Sequence, residues 1–531
     1  MVSNIEWWKR AVIYQVYPRS FLDLNGDGIG DLAGIAARLD YLVALGVEAI
    51  WLSPIFPSPM KDFGYDVSNY IDIDPIFGTL ADFDRLLEAA HSRGLRLLLD
   101  FVPNHTSDQH PWFQESRRSR DNPKREWYIW RDPAPDGGPP NNWLSEFGGG
   151  AWTFDAITGQ FYHHAFLSAQ PDLNWRNPAL RNAMHDVLRF WLNRGVDGFR
   201  VDVIWLLIKD DQFRDNPPNP AYKSERPPHE SLMPIYSADR PEVQDVIKGL
   251  RGVVDEYKER LLIGEVYLPI ERLVRYYGHE LGGAHLPFNF ALLSVSWDAG
   301  TIAKLVDEYE AALPPGGWPN WVIGNHDRPR VATRIGTAQT PVAAMLLLTL
   351  RGTPTLYYGD EIGMPQASIP PDKVRDPFER NVPGIGVGRD GARTPMQWNS
   401  GLNAGFSSVE PWLPIEDDYK VRNVEVQQNE AGSLLRLYRR LLKIRGEESA
   451  LSRGTYQLLS ATDHVMIYRR EWEGKAFVVA LNFSAAPRSE PLPPGNDTGV
   501  IRVSTTFKRE RESVSKQVVV GANEGLLVEL S

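Results

Sequence analysis

Four segments of the chain each end in a residue able to act as acid, base or nucleophile, and they occur in order along it. They read Leu95-Arg-Leu-Leu-Leu-Asp-Phe-Val-Pro-Asn-His105, Val196-Asp-Gly-Phe-Arg-Val-Asp202, Leu261-Leu-Ile-Gly-Glu265 and Trp321-Val-Ile-Gly-Asn-His-Asp327. Each begins as an apolar or β-branched run with the length of a buried parallel strand. Each finishes with Asp, Glu or His where the strand should run out. In a (β/α)8 barrel the C-terminal ends of the strands converge on one face, so residues distant in sequence meet there. Two carboxyls brought together this way, with a third nearby, are the equipment for breaking a glycosidic bond.

The rest of the pattern supplies a scaffold for them. Strand-like and helix-like stretches alternate from the start. Val12–Tyr17 reads as the first strand, Ile35–Leu45 as a helix stopped by Gly46, Ala49–Ser53 as the second strand, and Phe83–Ser92 as an amphipathic helix ending at Gly94. The third strand leads to Asp100 and His105. Helix Arg181–Arg194 precedes strand four, and strands five, six and seven are expected near Leu261, His285–Phe290 and Trp321. Helix Pro341–Arg351 and Thr355–Tyr358 complete the eighth unit, and a further helix covers Ser433–Arg445.

Residues 104–171 are rich in Pro, Gly, Asp, Trp and Arg and are too long for a structureless loop, so a small inserted domain is expected there. The expected fold class is α/β. A (β/α)8 TIM barrel occupies 1–103 and 172–450, with a Pro/Gly-rich excursion at 359–419. The inserted small domain follows strand 3, and the period-two alternation of 451–531 reads as a C-terminal antiparallel β domain.

A chain of 531 residues holds such a barrel with room for attachments. A net charge of −11 argues against nucleic acid as a partner, and no run approaches the apolar length of a membrane helix. There is no cysteine, which removes disulfides and thiol nucleophiles from consideration. Met1-Val-Ser-Asn-Ile-Glu-Trp-Trp has no basic start followed by an apolar stretch, so no signal peptide and a cytoplasmic location are expected.

Taken together, Asp100-Phe-Val-Pro-Asn-His105, Gly198-Phe-Arg-Val-Asp202, Gly264-Glu265 and Asn325-His-Asp327 resemble the four central motifs of glycoside hydrolase family 13, the α-amylase family, over essentially the whole chain. Gln170-Pro-Asp-Leu-Asn174, Lys61-Asp-Phe-Gly-Tyr-Asp66 and Arg393-Thr-Pro-Met-Gln-Trp398 resemble its oligo-1,6-glucosidase and bacterial α-glucosidase branch.

That resemblance implies Asp202 as nucleophile, Glu265 as general acid/base and Asp327 as the third carboxylate, binding sugar hydroxyls. Arg200, two residues before Asp202 on one strand, should point to the same side and help keep it ionised. His105 and His326 are implied to hydrogen-bond the same glucose, with Tyr65 stacked beneath it and Gln170 at the pocket. Asp62 and Arg393 are implied to grip the terminal glucose and close the pocket, giving exo-action on a small disaccharide or oligosaccharide. Val203 leans the linkage preference toward α-1,6 and leaves α-1,4 open.

Asp23, Asn25, Asp27 and Asp31, with the Ile29 carbonyl, place oxygens at the spacing of a hard-cation loop. They resemble the start of an EF-hand, but Gly34 stands where its twelfth-position Glu would be. A structural Ca²⁺ or Mg²⁺ is expected, and no cofactor for catalysis. Two other readings stand beside the hydrolase: a sucrose isomerase or trehalose synthase that passes the glucosyl group to a sugar, and a non-catalytic binding subunit.

Overall fold

The structure, a computed structural model, describes residues 6–531. The leader-free reading of the N-terminus falls partly on residues 1–5, which lie outside the described residues. Eight parallel strands form one sheet: β1 (Ile13–Val16), β2 (Ala49–Leu52), β3 (Arg96–Phe101), β4 (Gly198–Val201), β5 (Leu261–Gly264), β6 (Leu286–Pro287), β7 (Asn320–Val322) and β8 (Thr353–Tyr357). Their spatial order is β7-β8-β1-β2-β3-β4-β5-β6, and a parallel bridge between Asn289 and Trp321 joins its two ends into a (β/α)8 barrel. β6 is shorter than expected. Pro287 has no N–H to donate to a ladder, and the Phe288 N–H donates to the Gly264 carbonyl at 2.8 Å in its place.

Strand alternation decides which side chains face the lumen. On β3, Leu97, Leu99 and Phe101 pack outward among the helices, whereas Leu98 joins the lumenal cluster with Ile13, Ala49, Trp51, Leu261, Ile263 and Val322. Asp100 therefore faces inward. On β4, Phe199 and Val201 pack outward, leaving Gly198, Arg200 and Asp202 to the inside. On β5 the inward pair Leu261 and Ile263 sends Glu265 the same way. Register then aligns them: Asp100 and Arg200 are Cα partners, as are Arg200 and Ile263. Gly198 permits the close approach of β4 and β5, since a Cβ there would lie 2.1 Å from the Leu261 carbonyl oxygen.

The outer helices start where their caps fall. Leu80–Ser92 begins three residues before Phe83 because Thr79 and Asp82 form a capping box. Pro178–Arg194 begins at its Asn177 cap, before Arg181. The Ile35–Leu45 stretch is two helices, Leu32–Ala37 and Leu39–Leu45, broken at Arg38 and closed by Gly46 at φ 102°.

Between Asn104 and Pro171 three short strands, Trp130–Arg131, Trp152–Asp155 and Gln160–His163, form an antiparallel sheet. Its apolar core of Ile129, Trp143, Trp152 and Phe161 is completed by Phe213 and Tyr236. Those two belong to a second irregular excursion, residues 203–242, that the strand–helix alternation did not reveal. The chain ends in an eight-stranded antiparallel sheet from Thr455 to Leu530. Among the described residues no helix is long and apolar enough to cross a membrane.

Candidate active site

Arg200 organises the centre of the barrel mouth. Its Nη1 donates to Asp100 at 2.8 Å and to Asp202 at 2.6 Å, and its Nη2 pairs with Glu265 at 2.8 Å. All four residues are almost wholly buried. The backbone N–H of Val203 donates to Glu265 Oε2 at 2.9 Å. Val203 achieves this with a left-handed backbone, φ 37° and ψ 47°, which is strained for a β-branched residue.

Burial pushes the Asp202 carboxyl up to about 7, against the downward pull of Arg200. Arg200 therefore does favour the ionised form, but desolvation is the larger effect. Burial likewise drives Glu265 well above the ordinary glutamate range, and repulsion from Asp202 and Asp327 adds to it. Asp327 goes the other way. Burial raises it, but His326, Arg393, Arg389 and Arg200 together outweigh that and hold it below the usual carboxylate range. Burial and repulsion thus favour the protonated form of Glu265, while the cations around Asp327 favour its charged form.

Tyr65, His105, His326 and Gln170 are buried beside these groups and linked to them by hydrogen bonds. The Tyr65 ring lies parallel to His326 with centroids 5.4 Å apart, and its hydroxyl bonds His326 Nε2 at 2.6 Å and Asp100 at 3.1 Å. His105 Nε2 lies 3.1 Å from both the Tyr65 carbonyl and Gln170 Nε2. Burial lowers His105 to about 4 and His326 well below its ordinary value, so both rings are neutral at pH 7.

Behind His105 stands a residue not singled out in the sequence, Lys209. Its ammonium is 2.6 Å from Asp172 and 2.7 Å from Asn104 Oδ1, with essentially no exposure. Asp172 also meets His163 Nδ1 at 3.0 Å and the Ala165 N–H at 3.0 Å. Lys209 thereby ties the insert to the end of β3. A lysine within an apolar run, seven residues past Asp202, was the available signal.

The pocket floor differs from the expectation. Asp62 is buried, but its guanidinium partner is Arg389, at 2.9 Å; Arg393 does not pair with it. Arg393 is fully buried and donates to the His326 carbonyl at 2.8 Å and to Asp327 at 2.9 Å. Arg389 further holds Asp376 at 2.6 Å and lies 4.7 Å over the Phe147 ring. Asp62 Oδ2 takes a bond from Gln170 at 3.2 Å. The two arginines are four residues apart across a single 3-10 turn, Asp390–Ala392, and the motif pointed to Arg393, which meets Asp327, where Arg389 meets Asp62.

The Asp23–Asp31 loop lies apart from these groups. Asp23 accepts the N–H groups of Gly26 and Gly28, Asp27 that of Ile29, and Asp31 those of Leu24, Asn25 and Gly34. Asp31 also caps helix Leu32–Ala37, which explains why Gly34 stands where an EF-hand has its Glu. Among the described residues no three Asp, Glu, His or Cys side chains gather as a metal site. The donor set is all oxygen, and each carboxylate keeps lone pairs beyond the bonds that wind the loop.

The family described as "Alpha amylase, catalytic domain" matches residues 15–454. A probable α-glucosidase of Rhizobium meliloti (strain 1021) is 43% identical over 503 residues, covering 92% of this chain and 91% of the relative. An oligo-1,6-glucosidase of Heyndrickxia coagulans is 39% identical, covering 92% and 94%. Among solved structures, the α-glucosyl transfer enzyme XgtA superposes with a TM-score of 0.93 at 41% identity, covering 99% of this chain and 100% of its own. The trehalulose synthase MutB of Pseudomonas mesoacidophila MX-45 gives 0.91 at 34%, covering 99% of each.

Proposed function

Because this chain belongs to the α-amylase family, we propose that it is a retaining, exo-acting α-glucosidase that releases glucose from the non-reducing ends of short α-linked glucosides. The observation that carries this reading is the buried cluster in which one guanidinium, Arg200, holds both Asp202 and Glu265, with the buried Asp62–Arg389 pair beside it.

Asp202 attacks the anomeric carbon as Glu265 gives its proton to the departing glycosidic oxygen, so the C–O bond breaks without releasing a free alkoxide. Glu265 then takes a proton from water, which displaces Asp202 and frees glucose with the configuration it began with. Asp327 stays charged throughout and grips sugar hydroxyls that move as the ring flattens. His105 and His326 are neutral rings whose nitrogens are held by Tyr65, Gln170 and Gln15 before a sugar arrives, so a hydroxyl that bonds either ring shares or displaces one of these partners. A charged floor at Asp62 and Arg389 accepts a chain end and rejects a chain middle. The α-1,6 lean rests on Val203 and on the likeness to oligo-1,6-glucosidases.

Incubation with isomaltose, maltose, trehalose and sucrose, with product analysis, tests the reading. Free glucose from at least one of them is the expected outcome. The likeness to XgtA favours a second reading, transfer of the glucosyl group to a sugar hydroxyl, and a new disaccharide as the main product would select it. A structural Ca²⁺ or Mg²⁺ in the Asp23–Asp31 loop is proposed on its oxygen-only donors; metal analysis and a melting shift with chelator test it. A cytoplasmic location is proposed from the cysteine-free composition and tested by cell fractionation.

A further inference from the structure

Asp62 follows β2 and Arg389 follows β8, so their pair lies on that side of the barrel, and β5 and β6 stand across from it. The group that leaves as Glu265 protonates its oxygen must depart toward the far rim. Three aromatic residues form that rim. Tyr267, two positions beyond Glu265, stacks on Phe290 with centroids 4.3 Å apart and meets Trp205 edge-on at 5.8 Å. The Tyr267 hydroxyl accepts a bond from Asn325 at 3.0 Å.

Arg328, directly after Asp327, holds its guanidinium 5.3 Å from the centre of the Tyr267 ring. It is exposed, and among the described residues it has no hydrogen-bond acceptor and no carboxylate within 4.0 Å. Its neighbours are all committed. Arg330 donates to the Tyr358 carbonyl, Arg334 to the carbonyls of Pro329 and Leu293, and the Asp327 carboxylate is taken by Arg393 and Arg389. A cation left free on an aromatic platform at this rim is placed for a ligand group.

We propose that the leaving-group side of the site favours α-glucosides whose aglycone carries an anionic group, a carboxylate in particular, and that Arg328 recognises it. The ionised Asp202 and Asp327 at the mouth repel such an aglycone, and a guanidinium within a Debye length offsets that repulsion. The planar fork of Arg matches a carboxylate with two parallel bonds, while the aglycone ring packs on Tyr267. This inference rests on the α-glucosidase reading above.

The test uses 4-carboxyphenyl and 4-carbamoylphenyl α-D-glucosides, which match in shape and differ in charge. Their kcat/KM ratio is measured for the wild type, Arg328→Gln, Arg328→Lys and Arg328→Glu, with melting temperature as a check on folding. The intrinsic difference between the two leaving groups is the same for every variant and cancels. Arg328→Gln should lower the ratio by about two- to fivefold, Arg328→Lys less, and Arg328→Glu more, with added salt flattening the differences. A ratio in the folded Arg328→Gln and Arg328→Glu proteins equal to that of the wild type overturns the inference. Failure to cleave either compound or any disaccharide overturns the glucosidase reading instead.

Discussion

Arg389 donates to Asp62 at 2.9 Å across 327 positions of sequence, and this contact closes one side of the pocket. The loop after β2 and the excursion after β8 are joined there by a charge pair with little access to water. Asp376 and the Phe147 ring hold the same guanidinium from other directions. Arg389 is thus positioned by three neighbours before any sugar arrives. A pre-positioned fork loses little freedom on gripping a terminal glucose.

Arg389→Ala should leave Asp62 buried without its cation and weaken terminal-glucose recognition by about 2 kcal/mol or more. The loss should fall on kcat/KM for disaccharides, because grip on remote hydroxyls positions the reacting bond. Steady-state kinetics on isomaltose and maltose check this. Rapid internal cleavage of soluble starch by the wild type would show an open cleft instead.

Asp202→Ala should abolish turnover, and Glu265→Gln should lower it by about a hundred- to ten-thousand-fold on substrates with poor leaving groups. The Glu265 variant should recover part of its first step on p-nitrophenyl α-glucoside, which departs without a proton. Circular dichroism verifies folding. Near-normal activity of the Asp202 variant would remove that residue from the nucleophile's role.

Net retention is expected, because a single guanidinium, Arg200, holds both Asp202 at 2.6 Å and Glu265 at 2.8 Å and so draws the two carboxyls together, as a retaining enzyme requires. An NMR time course on a small α-glucoside should show α-glucose before its β anomer. Initial β-glucose contradicts the assignment.

The pH profile of kcat/KM should be bell-shaped, with both limbs displaced upward from ordinary carboxylates. Asp202 must be ionised, and burial lifts it to about 7, so activity falls as pH drops through neutrality. Glu265 must be protonated, and burial with two neighbouring carboxylates holds that proton to higher pH, where its loss forms the alkaline limb. The two limbs belong to the coupled pair rather than to either residue alone. An acid limb at the value of a free carboxylate would contradict the desolvated site.

Lys209→Met should cost about 3–5 kcal/mol, since it leaves the Asp172 carboxylate buried without its cation. Asp172 is held below its ordinary range, where burial raises it but Lys209 and His163 prevail. Its folded-state value is depressed, so its contribution to stability is present above the unfolded value and fades as pH falls toward the folded one. Denaturant unfolding at neutral pH measures the loss. A melting curve like that of the wild type would mean that Asp172 finds other compensation.

Much of the site was legible before any coordinates. Asp100, Asp202 and Glu265 each close a strand written as a local apolar run, and period-two alternation sends them inward with Arg200 between. Capping residues explain the helix starts that pattern alone placed late, such as Thr79 ahead of Phe83. The excursion at 203–242 was not legible, because Phe213 and Tyr236 complete the core of a distant insert and have no periodicity of their own.

The barrel and its carboxylates follow from the chain itself, because strand length, alternation and the residue at each strand end are local properties that any parallel barrel converts into one face. Which arginine meets Asp62 is of another kind. Arg389 and Arg393 flank one 3-10 turn in a segment without repeat, and both are buried beside acidic groups. Only the path of that turn through space sends Arg389 to Asp62 and Arg393 to Asp327. The reason is physical: a guanidinium buried far from water takes the carboxylate within reach, and in irregular backbone reach is set by tertiary packing.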